Sequence, residues 1–141
     1  MSITFSTENI KFTLDNESRV KKWITSIVHM QGKRVGSINY LFCDDAHLLG
    51  INQSFLNHDT YTDVITFDYV VGDMVSGDIV ISVERVKENA LLFASPFEKE
   101  LHRVIIHGVL HLLGQGDKSD KEAEEMRKKE EEALAVWDTI V

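Results

Sequence analysis

His107 and His111 stand four residues apart inside an apolar run, Val104-Ile105-Ile106-His107-Gly108-Val109-Leu110-His111-Leu112-Leu113. A helix turns by about 100° per residue, so positions four apart share one face about a turn apart. Two imidazoles so placed can bind one metal ion. Gly114 ends the run, and Asp117 follows three residues later. Glycine adopts the left-handed conformation that stops a helix and reverses the chain. Such a reversal would return Asp117 as a third ligand. Two His and one carboxylate leave a coordination position open for water, the pattern of a catalytic zinc site. Burying two imidazoles without partners is costly, and a metal satisfies both. The HExxH helix of zinc peptidases carries a Glu base directly after its first His. Gly108 occupies that place here, so the pattern points to a hydrolytic centre and away from peptide hydrolysis.

These residues need a scaffold, and the rest of the chain supplies its elements. Residues 3–5 read as a short strand. Residues 16–30 read as an amphipathic helix with Val20, Trp23, Ile24, Ile27 and Val28 on one face, Asn16 as its cap and Gly32 after its end. Residues 35–43 are rich in strand formers. Asp44 caps a helix running to residue 56. Residues 64–71 and 78–83 read as a hairpin, joined by Gly72-Asp73-Met74-Val75-Ser76-Gly77 with turn chemistry at both ends. Residues 84–94 form a helix stopped by Pro96. The histidine helix covers residues 97–113. Ser119 and Glu122 make a capping box for a last helix to about residue 135. The tail beyond, with Trp137, is equally suited to docking or fraying. The pattern predicts one α+β domain over residues 1–141: a small mixed sheet of about four strands, about five helices, and the metal site on a buried central helix.

Composition narrows the function classes. The chain has 141 residues, the size of one domain with one core. No apolar run reaches membrane-spanning length, and the N-terminus has no basic segment before an apolar one, so neither a membrane anchor nor a signal peptide is expected. One cysteine, Cys43, allows no internal disulfide, which fits a reducing cytoplasm. Its apolar surroundings predict a small core residue. A net charge of −8 argues against general, charge-driven nucleic-acid binding. It leaves room for a metal that itself contacts phosphate. The run Arg127-Lys128-Lys129 passes straight into Glu130-Glu131-Glu132 and reads as a solvated face.

Several segments together resemble one known family. His107-Gly108-Val109-Leu110-His111-Leu112-Leu113-Gly114 resembles the HGxLHLxGyDH signature of the YbeY family. Thr62-Asp63-Val64-Ile65-Thr66-Phe67 is similar to that family's TDVLSF segment, and Gly77-Asp78-Ile79-Val80-Ile81-Ser82 to its GDIxIS segment. Leu56-Asn57 stands where the family has its LN pair. The segments occur in the family's order and span nearly the whole chain. The resemblance implies a metal-dependent endoribonuclease preferring single strands, active in maturing the 3′ end of small-subunit rRNA and in ribosome quality control. It implies one divalent metal, zinc, held by three histidines. The implied partners are single-stranded RNA and rRNA, the small ribosomal subunit and its assembly factors, without DNA or membrane.

Two departures stand out. Where the family reads Tyr-Asp-His after Gly114, this chain has Gln115-Gly116-Asp117, so Asp117 takes the place of the third histidine. A carboxylate is an acceptable zinc ligand and leaves the centre less positive. Second, the loop after Asn57 is short. His58-Asp59-Thr60-Tyr61 offers no counterpart to the arginine many relatives carry there, and His58 is the residue that could substitute as cation or donor. No general base is evident beyond the metal's own water; His58, Asp63 and Asp78 are candidates, and the two aspartates are equally suited to turn or strand-end roles. Two other functions compete: a ribosome-assembly factor whose metal is structural, and a metallohydrolase acting on another phosphoester or amide.

Overall fold

A computed structural model describes residues 2–56 and 62–141. The elements follow as β1 (Ser2–Glu8), α1 (Glu17–Met30), β2 (Arg34–Cys43), α2 (Asp45–Leu56), β3 (Val64–Asp68), β4 (Met74–Ser82), α3 (Val83–Leu92), α4 (Phe97–Leu112) and α5 (Asp120–Trp137). The expected α+β fold is present, with a four-stranded mixed sheet in the order β1-β2-β4-β3. β1, β2 and β4 run parallel, and β3 runs antiparallel to β4 along an edge.

Alternation along the strands sorts the sheet's two faces. Ile38, Tyr40 and Phe42 of β2 and Ile79 and Ile81 of β4 turn to one face and are fully buried there with α1 and α4. Cys43, Ile65 and Val80 point to the other face and form a smaller cluster with Leu48 of α2. α4 is buried on most of its circumference, from Leu101 through Leu112. It is the central helix, wrapped by the sheet, α1, α3 and α5. Tyr40 ties it down, its hydroxyl donating to the Ile105 carbonyl at 2.9 Å.

Several element ends differ from the sequence reading. The hairpin turns on Gly72-Asp73 alone, with Gly72 at φ +60° and Val71 bridged to Met74. β3 is interrupted after Asp68, whose carboxylate accepts the Val70 N–H at 2.8 Å in an Asx turn, while Tyr69 N–H still donates to the Ser76 carbonyl at 3.0 Å in the same register. β4 starts at Met74 because β2 pairs with it, Arg34 against Met74 and Val35 against Val75. That long-range partner overrides the turn chemistry of Ser76-Gly77. β1 extends to Glu8 for the same reason, its whole length in register with β2.

At the caps, Asp44 behaves as expected and accepts the His47 N–H at 2.8 Å. Asn16 does not: it sits at φ +58° and makes no side-chain cap bond. The tail docks. α5 continues to Trp137, whose ring meets Trp23 edge-on at 5.4 Å, while Trp23 Nε1 donates to the Ala133 carbonyl at 2.8 Å. No helix among the described residues is long and apolar enough to cross a membrane.

Candidate metal centre

The C-terminus of α4 builds the site. His107 and His111 project from one face of the helix, their rings 4.6 Å apart and nearly perpendicular. Leu113 caps the helix, and Gly114 follows in the left-handed region at φ +96°. Gly114 N–H donates to the His111 carbonyl at 3.0 Å and Gln115 N–H to the Leu110 carbonyl at 2.9 Å. This pair of bonds is a Schellman end, which satisfies the last carbonyls and folds the chain back. The capping box on α5 then fixes the far side of the link: Glu122 N–H donates to Ser119 Oγ at 3.1 Å, and Glu122 reaches back to the Ser119 N–H. Between these two fixed ends, Asp117 returns to the histidines.

Asp117 Oδ2 lies 3.4 Å from His107 Nε2 and 3.3 Å from His111 Nε2. One ligand atom from each of the three residues lies within 4.8 Å of the other two. Two ligands on a tetrahedral zinc, each at about 2.0–2.1 Å, stand about 3.3–3.4 Å apart. The observed spacings match that figure and exceed the usual ~2.9 Å of an N–H···O bond. The donor set therefore fits a divalent ion on its chemistry and on its spacing. His107 is the most enclosed of the three, while the Asp117 side chain is 36% exposed and His111 29%. The open side of the centre is thus where Asp117 and His111 meet solvent.

Behind His107, the opposite ring nitrogen meets Glu130 of α5, with Nδ1 and Oε2 2.5 Å apart. Glu130 is 2% exposed. Arg103 donates from Nη1 to its other oxygen at 3.1 Å and is itself held by Glu100. Burial pushes the Glu130 carboxyl up, but the His107 bond and the Arg103 charge outweigh it and hold the group below its ordinary value. Asp63 lies at the margin of this network, 3.8 Å from Arg103 and accepting Asn89 Nδ2 at 3.3 Å. Burial raises its pKa more than Arg103 and His107 lower it.

The structure brings His107, His111 and Asp117 together, as the spacing predicts, and sets Asp63 beside them. It places Asp78 elsewhere. Its neighbour Ile79 is buried on the α4 side, so Asp78 points to the opposite face, where Asn39 Nδ2 donates to it at 3.1 Å. His58 lies outside the described residues. Gly108, where a peptidase has its base, faces the sheet: a Cβ there would come within 2.9 Å of Ile79. Glu130 escaped the sequence reading because it sits in a charge run. The available signal was its register: Met126, Glu130 and Ala133 fall on one buried stripe of α5, and an acid on an apolar stripe needs a partner.

The family model described as Endoribonuclease YbeY matches residues 2–138. The chain belongs to the YbeY family. Among curated YbeY relatives, the Flavobacterium psychrophilum protein is 53% identical and the Flavobacterium johnsoniae protein 51%, each over 135 residues covering 96% of this chain and 96% of the relative. Both are called Endoribonuclease YbeY. The solution structure of a Thermotoga maritima protein superposes with a TM-score of 0.64 at 30% identity, covering 98% of this chain and 93% of that one.

Proposed function

We propose that this YbeY-family protein is a metal-dependent endoribonuclease that cuts single-stranded RNA, acting in the 3′ maturation of small-subunit rRNA and in ribosome quality control. The observation that carries the metal chemistry is the convergence of His107 Nε2, His111 Nε2 and Asp117 Oδ2 at ligand spacing. Family membership over nearly the full chain supports the substrate class. His107, His111 and Asp117 would hold the ion, with zinc favoured by two imidazoles and a carboxylate in a set of three. A bound ion supplies a Lewis acid at a phosphate oxygen and an acidified water. The protein's own residues hold the imidazoles in place and leave the Asp117–His111 side open to a strand. A peptidase role is disfavoured because the position of its base is packed against Ile79. The RNA reading carries with it cytoplasmic placement and contact with the small subunit and its assembly factors. That step finds local support only in the site, since the net charge of −8 gives no general attraction for a polyanion.

The test is cleavage of a labelled single-stranded RNA by zinc-loaded protein and by His111→Ala purified in parallel. Wild type should cut, and the variant should neither cut nor retain stoichiometric zinc. Equal cutting by both would sink the assignment. A wild type that holds zinc, leaves RNA intact and sediments with ribosomal subunits would select an assembly role instead.

A further inference from the structure

Behind His107, on the side away from Asp117, lies a chain of charged groups with no role in holding the ion directly. Glu130 Oε2 faces His107 Nδ1, and Glu130 Oε1 takes the Arg103 Nη1 hydrogen at 3.1 Å. Glu100, 4% exposed, clamps the same guanidinium: Arg103 Nε donates to Oε1 at 3.0 Å and to Oε2 at 3.2 Å, and Nη2 also donates to Oε2. Two carboxylates and a guanidinium are thus withdrawn from water together. Such pairs contribute little net stability over well-packed apolar residues, so packing alone does not account for them.

The order of donors and acceptors does. An ionised carboxylate can only accept, and a guanidinium can only donate. Carboxylates face both ring nitrogens of His107, but Glu130 stands 2.5 Å from Nδ1 while Asp117 stands 3.4 Å from Nε2. The hydrogen of a neutral His107 therefore belongs on Nδ1, which leaves the Nε2 lone pair aimed at Asp117 and His111. Arg103 claims one oxygen of Glu130 and so fixes which oxygen faces the imidazole. Glu100 in turn fixes Arg103. We propose that Glu130, oriented by Arg103 and Glu100, is a positioning residue that sets the tautomer and ring orientation of His107 and thereby the metal affinity of the centre. This inference rests on His107 being a ligand.

It has a consequence that a purely structural role lacks. In Glu130→Gln the amide has one oxygen, and Arg103 brings only donors, so the oxygen must face Arg103. The amide NH2 then faces His107 Nδ1 as a donor. Nδ1 must become the acceptor, and the ring hydrogen moves to Nε2, where it blocks the ligand lone pair. A near-isosteric change would invert the tautomer. Loss of an outer-shell partner of a metal-bound histidine typically costs about 10–100-fold in affinity.

The experiment is ¹⁵N NMR of histidine-labelled, metal-free protein in mildly alkaline buffer, paired with zinc titration against a chromophoric chelator. His107 should carry its hydrogen on Nδ1 in the wild type and on Nε2 in Glu130→Gln, with zinc bound at least tenfold more weakly by the variant. Adding Arg103→Met to Glu130→Gln frees the amide to turn over and should restore the Nδ1–H tautomer and part of the affinity. A wild-type His107 protonated on Nε2 overturns the proposal, whether or not any variant folds. So does a Glu130→Gln protein with unchanged tautomer and affinity. If His107→Ala binds zinc as wild type does while the wild-type tautomer is Nδ1–H, the ligand reading is what has failed.

Discussion

Asp117 is the residue at which this centre departs from three histidines, and its chemistry can be isolated. Its oxygen stands 3.4 and 3.3 Å from the two Nε2 atoms, so removing it takes away both a candidate ligand and a negative charge. Asp117→Ala should lower zinc affinity by more than the about 10–100-fold cost of an outer-shell loss, measured by chelator competition. Asp117→His should retain stoichiometric zinc and leave the centre one charge more positive. A more positive centre acidifies its water further, so the pH–rate profile of RNA cleavage should move to lower pH; an unchanged profile would mean that the ion does not set the titration. At this scale, the convergence of His107, His111 and Asp117 was legible because it depends on helix periodicity and one glycine, both local rules. Glu130 was not, because its partners Arg103 and His107 come from another helix and its neighbours in sequence are charged.

Two glycines, one inside α4 and one just past its end, do different work. Gly114 has φ +96°, and a Cβ placed there would meet nothing within 4 Å, so only the backbone conformation requires it. Gly114→Ala should cost about 1 kcal/mol in stability and should weaken zinc binding, because Asp117 reaches the histidines through that reversal. Gly108 has ordinary backbone but no room: a Cβ would press on Ile79, which is fully buried. Gly108→Ala gains helix propensity of about 1 kcal/mol and meets overpacking of about 1–3 kcal/mol, so net destabilisation is expected in chemical denaturation. A more stable variant would show that α4 can lift off the sheet freely. The helices were legible in the sequence because their caps and stripes are local: Asp44, Ser119 with Glu122, and Gly114 all perform as the rules require. The strand ends were not. Whether Met74–Ser82 begins at its first or fifth residue depends on β2, which is some forty residues away in the chain, and no local signal reports that pairing.

At the scale of the whole molecule, acid stability carries a contribution from a buried histidine outside the candidate metal centre. His102 of α4 is 3% exposed, packed between Trp23 and Trp137 at 5.6 and 4.2 Å, and its Nε2 has no hydrogen-bond partner among the described residues. Burial first, and then the nearby Arg19 charge, lower its pKa to about 4. Around it stand Arg19 of α1, Glu98 and Lys99 of α4, Glu131 of α5 and Asp138 just past its end. Because the folded value lies below the unfolded value near 6.5, the unfolded chain binds the proton first. Stability is complete above the unfolded value, falls as pH drops through the window between the two, and stops falling from this source below about 4. The full loss is about 3 kcal/mol. Glu130 adds loss at more acid pH, as its lowered carboxyl is protonated, and Asp63, with a raised value, acts in the opposite sense. His102→Leu isolates the effect, since both carboxylates remain. In chelator, to keep the metal centre out of the comparison, wild type should lose about 3 kcal/mol more than His102→Leu between neutral pH and about pH 4. Parallel stability curves would show that His102 takes up its proton in the folded state without cost, which requires the Trp23–Trp137 junction of α1, α4 and α5 to open to water.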